Sequence, residues 1–136
     1  MAGKRVEPQD IIVRARALIG TRFRLHGRDP ATGLDCVGLV SIGYRVTASV
    51  PTGYPLRGGD AASYAALIDG FAQRRTGTPQ AADALLISMG PQQYHLGIWT
   101  GTSLIHAHAG LRRVVETPGA ITDPFFAIWQ PLKERP

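Results

Sequence analysis

The spacing of apolar residues changes period partway along the chain. Ile11, Ile12, Ala15, Leu18 and Ile19 recur at helical intervals, predicting a helix over 8–19 with Gly20 as its stop. Gly27, Asp29-Pro30 and Gly33 break the pattern, so 21–34 reads as a loop. An apolar run follows Asp35, a preferred N-cap type, and predicts a second, mostly buried helix over 36–46. Gly38 and Gly43 weaken helix propensity there, which makes close packing against another segment the expected reason for them. Residues 47–59 carry two prolines and form a long connection, of the length usually reserved for functional or mobile loops. Behind Asp60, Tyr64, Leu67, Ile68 and Phe71 predict a third helix.

Beyond Arg75 the segments become short and β-rich. Residues 84–88, 94–99, 103–108, 111–116 and 125–130 read as strands separated by Gly and Pro turns. Helices first and strands afterwards predict an α+β fold with an antiparallel sheet. A chain of 136 residues is most simply one domain, 1–136, with 1–7 and 133–136 frayed. Its 44% hydrophobic content and mean hydropathy of −0.02 fit a globular protein.

Fifteen Lys and Arg against ten Asp and Glu give a net charge of +5, which favours attraction to polyanions. The basic residues are scattered and not interleaved with aromatics, so dedicated nucleic-acid binding is not expected. No run approaches the roughly 18 apolar residues of a membrane span. The start, MAGKRVEPQD, has no apolar stretch behind its basic residues, so synthesis in the cytoplasm without a secretory signal is the expectation.

The single cysteine, Cys36, admits two readings: a small buried hydrophobe or a nucleophile. With Asp35 as N-cap it sits at the first helical position. There the dipole and free N–H groups lower a thiol's pKa and offer donors to an oxyanion. A nucleophilic thiol also needs a base and a group that orients the base. The chain has four histidines, His26, His95, His106 and His108, and three of them lie on two successive predicted strands. A two-residue Thr100-Gly101 turn would set His95 opposite His106; a four-residue turn over 100–103 would set it opposite His108. Either even-length turn places all three imidazoles on one sheet face. Three clustered histidines could also bind zinc, but no HxxxH helix or acidic ligand accompanies them, so no metal is expected.

The segment GTRFRLHGRDPATGLDCVGLV resembles the active-site segment of NlpC-type cell-wall peptidases, which are papain-like cysteine peptidases. HLGIW is similar to that family's histidine strand, ADALLIS to the strand entering its sheet, and LIHA to its third motif. The likeness covers about residues 10–130. It implies a papain-like fold, with Cys36 as nucleophile, His95 as general base and then acid, His106 as the residue orienting His95, and Asp35 as a structural cap. No cofactor is implied. The implied activity is hydrolysis of an amide bond in peptidoglycan stem peptides, of the γ-D-glutamyl–diaminopimelate type. The endings RRVVETPG and FAIWQPL look most like the branch found in phage tails and gene transfer agents, which implies tail proteins as partners and a place in a virion or tail-like particle.

Two positions depart from the family pattern. Val37 follows the cysteine where serine is usual. Phe23 stands where a tyrosine hydroxyl would lie near the nucleophile, and losing one such donor can cost about 10²- to 10³-fold in rate. Phe23 therefore keeps open a degenerate structural or wall-binding tail component. An acyltransferase or amidase on the same scaffold is the third reading. His26, in the loop before the cysteine, and His108 are supporting or substrate-contacting candidates. The tighter turn and the LIHA match favour His106 over His108 as the partner of His95.

Overall fold

The computed structural model describes residues 7–46, 50–54, 60–90, 93–119 and 125–132. The element order is α1 (Pro8–Arg16), β1 (Arg28–Asp29), β2 (Gly33–Leu34), α2 (Cys36–Gly43), α3 (Ala61–Asp69), β3 (Ala72–Arg75), β4 (Ala84–Gly90), β5 (Gln93–Trp99), β6 (Ser103–His108), β7 (Arg113–Pro118) and β8 (Phe125–Pro131). Of the ends expected to fray, residues 1–6 and 133–136 lie outside the described residues, as does most of the 47–59 connection, while Glu7 is the N-cap of α1. No helix is long and apolar enough to cross a membrane among the described residues.

The last six strands form one antiparallel sheet in the order β3-β8-β4-β5-β6-β7. One face carries Leu86, Leu96, Ile98, Ile105 and Ala107 and packs with Ile11 of α1, Leu39 of α2 and Ile68 of α3 into the main core. The opposite face holds a smaller cluster of Leu85, Ile87, Trp99 and Ile128. Alternation along β4, β5 and β6 thus divides two apolar layers, so both sheet faces fix the register.

Each helix ends earlier than the apolar spacing suggests. α1 stops at Arg16, yet Leu18 in the following turn is still buried, so the pattern outruns the helix. α2 stops at Gly43 because Arg45 takes a left-handed φ of 55° and the Val46 N–H returns to the Ser41 carbonyl. Arginine in that conformation gives no warning in the sequence, where glycine would. α3 stops at Asp69, and Phe71 reaches the core from the turn behind it.

Two elements were unexpected. β3 (AQRR) is a polar edge strand held by distant β8, and the two-residue β1–β2 pair interrupts the 21–34 loop. Gly38 explains itself: a Cβ there would lie 2.1 Å from the Gly27 carbonyl oxygen, so the loop could not lie on α2. At Gly43 a Cβ would stand 2.7 Å from Ile98 Cδ1.

Candidate active site

β5 and β6 pair only at Gly97↔His106, Ile98↔Ile105 and Trp99↔Leu104. The next rung would join Leu96 to Ala107. Instead β5 stays on β4, through Ile87↔His95, while β6 stays on β7, through His108↔Arg113. The N-terminus of α2 meets the sheet at that split. Cys36 Sγ donates to the Ala107 carbonyl at 3.2 Å, and its other backbone neighbour is Leu96. The thiol therefore stands against the two residues whose pairing the sheet gives up.

Asp35 is the N-cap, accepting from the Gly38 N–H at 2.9 Å, which puts Cys36 at the first helical position. The thiol is nevertheless not acidic. Burial, with a smaller contribution from the Asp35 charge, pushes it up to about 11 against the pull of the Ala107 and Leu96 backbone. The expectation of a lowered value is corrected here: one helix start with a carboxylate as its cap does not outweigh desolvation.

His95, His106 and His108 share one face, with ring centroids 5.3 Å apart for His95–His106, 5.9 Å for His95–His108 and 5.6 Å for His106–His108. The turn between the strands is the four-residue one, not Thr100-Gly101. Thr100 builds it: its N–H donates to the Ser103 carbonyl at 2.9 Å, and its hydroxyl oxygen accepts from the Ser103 N–H at 3.0 Å. By register His95 faces His108, while His106 faces Gly97. His106 nonetheless has the ring centroid closer to His95.

The three rings have different surroundings. His106 is buried, and its Nε2 pairs with the Thr117 hydroxyl at 3.1 Å, while its Nδ1 has no partner among the described residues. Burial and the two neighbouring imidazoles push it down to about 4, so it is neutral at pH 7. Burial, then His108, lowers His95 as well. His108 Nδ1 accepts the Leu111 N–H at 3.0 Å, which leaves its proton on Nε2.

Cys36, His95 and His108 line one open cleft of about 260 Å³ with Phe23, Leu25, Asp35, Tyr64, Tyr94 and the 107–110 backbone. His106 stands behind this wall and His26 outside it. Phe23 presents a ring without a donor. Tyr64 of α3, which the apolar helix pattern absorbed as a core position, is half-buried and brings a phenol to the same cleft. It packs 5.6 Å from the Tyr54 ring.

Asp35 does more than cap. Its carboxylate also accepts from the His26 N–H at 2.9 Å, from Arg28 at 2.9 Å and from the Tyr54 hydroxyl. Arg28 reaches on to the Pro51 carbonyl and the Tyr54 hydroxyl, both at 2.8 Å. The His26 ring meets the Tyr54 carbonyl and stacks edge-on against its ring at 4.6 Å. His26 thus fastens the 50–54 segment beside the cysteine. No sequence signal marked Arg28 or Tyr54, because their mutual contact spans 26 residues and no motif links them.

Among the described residues no group of three or more His, Cys, Asp and Glu is arranged to hold a metal ion. The arrangement presents a thiol at a helix start, a cleft-lining imidazole, and a neutral imidazole behind it with a free ring nitrogen. Those are the parts of nucleophilic acyl transfer.

No family model matches the sequence, and no curated protein matches it. Solved structures do. The chain is similar to the NlpC/p60 domain of the peptidoglycan hydrolase SagA, at 24% identity and a TM-score of 0.57, over 83% of this chain and 90% of that one. It is similar to the P60 domain of an antigen from M. avium subspecies paratuberculosis, at 20% identity and a TM-score of 0.57, over 93% and 95% of the two chains. It also matches a Staphylococcus aureus protein described as similar to lipoprotein, of the NLP/P60 family, at 18% identity and a TM-score of 0.62. That match covers 97% of this chain and 44% of the other, so the chain spans less than half of that protein. The α+β architecture expected from the hydrophobic pattern is the NlpC/p60 fold.

Proposed function

We propose that the protein is a thiol-dependent peptidase that hydrolyses an amide bond in peptidoglycan stem peptides. The observation that carries this reading is the placement of Cys36 at the start of α2, in the split between β5 and β6, with His95 lining the same cleft. The fold, shared with domains of peptidoglycan hydrolases, supports this substrate class.

In this mechanism His95 takes the Cys36 proton as the sulfur attacks the carbonyl carbon. The thiol pKa of about 11 means that proton transfer accompanies attack, since little free thiolate stands ready. The resulting imidazolium is stabilised by neutral His106: in the tautomer with its proton on Nε2, toward Thr117, the unpaired Nδ1 is free to accept a hydrogen bond from His95. His95 then protonates the leaving amine, and water resolves the thioester. The Cys36 N–H at the helix start faces the developing oxyanion, and the Tyr64 phenol offers the donor that Phe23 lacks. The specific bond is γ-D-glutamyl–diaminopimelate. The setting is a tail-like particle made in the cytoplasm and carried to the wall; the 112–119 and 126–132 segments motivate it.

Phe23 favours a second reading, a structural or wall-binding tail component without activity. Purified peptidoglycan incubated with the protein under reducing conditions separates the two. Released fragments with a new diaminopimelate amino group support the peptidase, and an unchanged wall supports the structural reading.

A further inference from the structure

The strand-like segment at 22–23 extends the sheet past β7. Arg22 pairs with Arg113 in an antiparallel bridge, and Arg113 is in turn the direct partner of His108. The flanking hydrogen bonds run from the Phe23 N–H to the Arg112 carbonyl and from the Val114 N–H to the Thr21 carbonyl, both at 2.9 Å. Arg22 and Arg113 therefore form a non-hydrogen-bonded pair, the kind with Cα atoms only about 4.5 Å apart and side chains closest together. Directly opposed residues share a face, so Arg22, Arg113 and His108 form one row that runs toward His95.

Like charges directly opposite each other destabilise a sheet. Neither guanidinium has an ion pair or hydrogen bond among the described residues, and both residues are exposed. The neighbouring carboxylate, Glu116, pairs across the sheet with Ile105 on the main-core face and binds Arg16 and Ser103. Val115 and Thr117 share the face of the row and carry no charge. His108 adds a further donor, because its Nδ1 is already occupied by Leu111. The row reaches the cleft through His108, which lines it.

We propose that Arg22 and Arg113, with His108, form an oxyanion-binding subsite at the β7 edge of the cleft. Two adjacent, unpartnered guanidiniums present only donors, in the fork geometry that suits a carboxylate or a phosphate. That this oxyanion belongs to the substrate rests on the peptidase reading; that the row binds one does not. A free carboxylate on the stem peptide and a phosphate on an anionic wall polymer share the required chemistry.

The test is a binding titration that needs no turnover. The side-chain Nε–H resonances of Arg22 and Arg113 are followed while a free-acid stem peptide, its fully amidated counterpart, or inorganic phosphate is added. The free acid or phosphate should shift both resonances along a saturating curve, and the amide should bind at least tenfold more weakly than the free acid. Tighter binding of phosphate than of the free acid identifies a phosphate-bearing polymer as the source. Arg22→Gln/Arg113→Gln should lose at least tenfold in affinity for the preferred anion while its Tm holds or rises, since the repulsion is gone. Arg22→Lys/Arg113→Lys, which keeps the charge, should retain part of the binding. Equal affinity for acid and amide with no response to phosphate, or unchanged binding by the glutamine pair, would overturn the subsite. Loss of peptidase activity alone would not touch it.

Discussion

Two polar clusters flank the cysteine, one gathered on a single carboxylate and the other made of three imidazoles. Around Asp35 one buried carboxylate collects four donors, from Gly38, His26, Arg28 and Tyr54, and Arg28 Nε alone is left without a described partner. Around His95 three imidazoles crowd within 6 Å and His106 Nδ1 is left without a described partner. The first cluster holds a loop on a helix start. The second keeps an acceptor-capable ring nitrogen beside the cleft-lining His95, where a proton can be moved; the orphan of the first is a guanidinium N–H, which can only donate. The contrast separates scaffold from chemistry beside one thiol.

The sharpest way to break the contrast is to delete a member of each. His95→Ala should lower kcat by at least about 10³-fold with the Tm nearly unchanged, because the nucleophile loses its base. Circular dichroism melting alongside steady-state kinetics checks both halves. Asp35→Ala should do the reverse first, costing about 3–5 kcal/mol of stability by leaving Arg28 an uncompensated, largely buried charge. Urea denaturation measures it.

Protonation separates the clusters more finely. His106 is 5% exposed and held near 4, below the ordinary 6.5. The folded chain therefore binds fewer protons than the unfolded chain between those values, and stability falls as pH drops from 6.5 toward 4. The shift corresponds to about 3 kcal/mol at full expression. His106→Gln should flatten this part of the stability–pH curve, measured by urea denaturation at stepped pH. It should also lower kcat more than His108→Ala does. His108 faces the cleft edge, and its loss should be felt mainly in KM. The smallest expected change is Phe23→Tyr. A second phenol beside Tyr64 should raise kcat by about tenfold or less, with KM little altered.

The legible parts of the fold were those whose cause is local. Asp35 announced the α2 start, and short β-rich segments between Gly and Pro turns announced five of the six main-sheet strands. The three-histidine face needed only an even-length turn. The particular turn was illegible because Thr100 selects it with side-chain hydrogen bonds to 102 and 103. β3 was hidden because AQRR is polar on an edge, and its partner β8 lies more than fifty residues away. Tyr64 fits an apolar helix stripe equally well whether it faces core or cleft. The thiol's raised pKa was illegible too, since helix position is written in sequence and desolvation is not.

The chain contains one cysteine, so the role of its thiol is directly measurable. Aliquots of the protein alkylated with iodoacetamide to graded extents can be assayed on a stem-peptide substrate, with the modified fraction read by intact mass. Because the thiol is pushed up to about 11, alkylation should accelerate steadily as pH rises above neutrality. Remaining activity should fall in proportion to the modified fraction and vanish at one adduct per chain, as it should in Cys36→Ala. Turnover that survives complete alkylation would show that Cys36 is not the nucleophile.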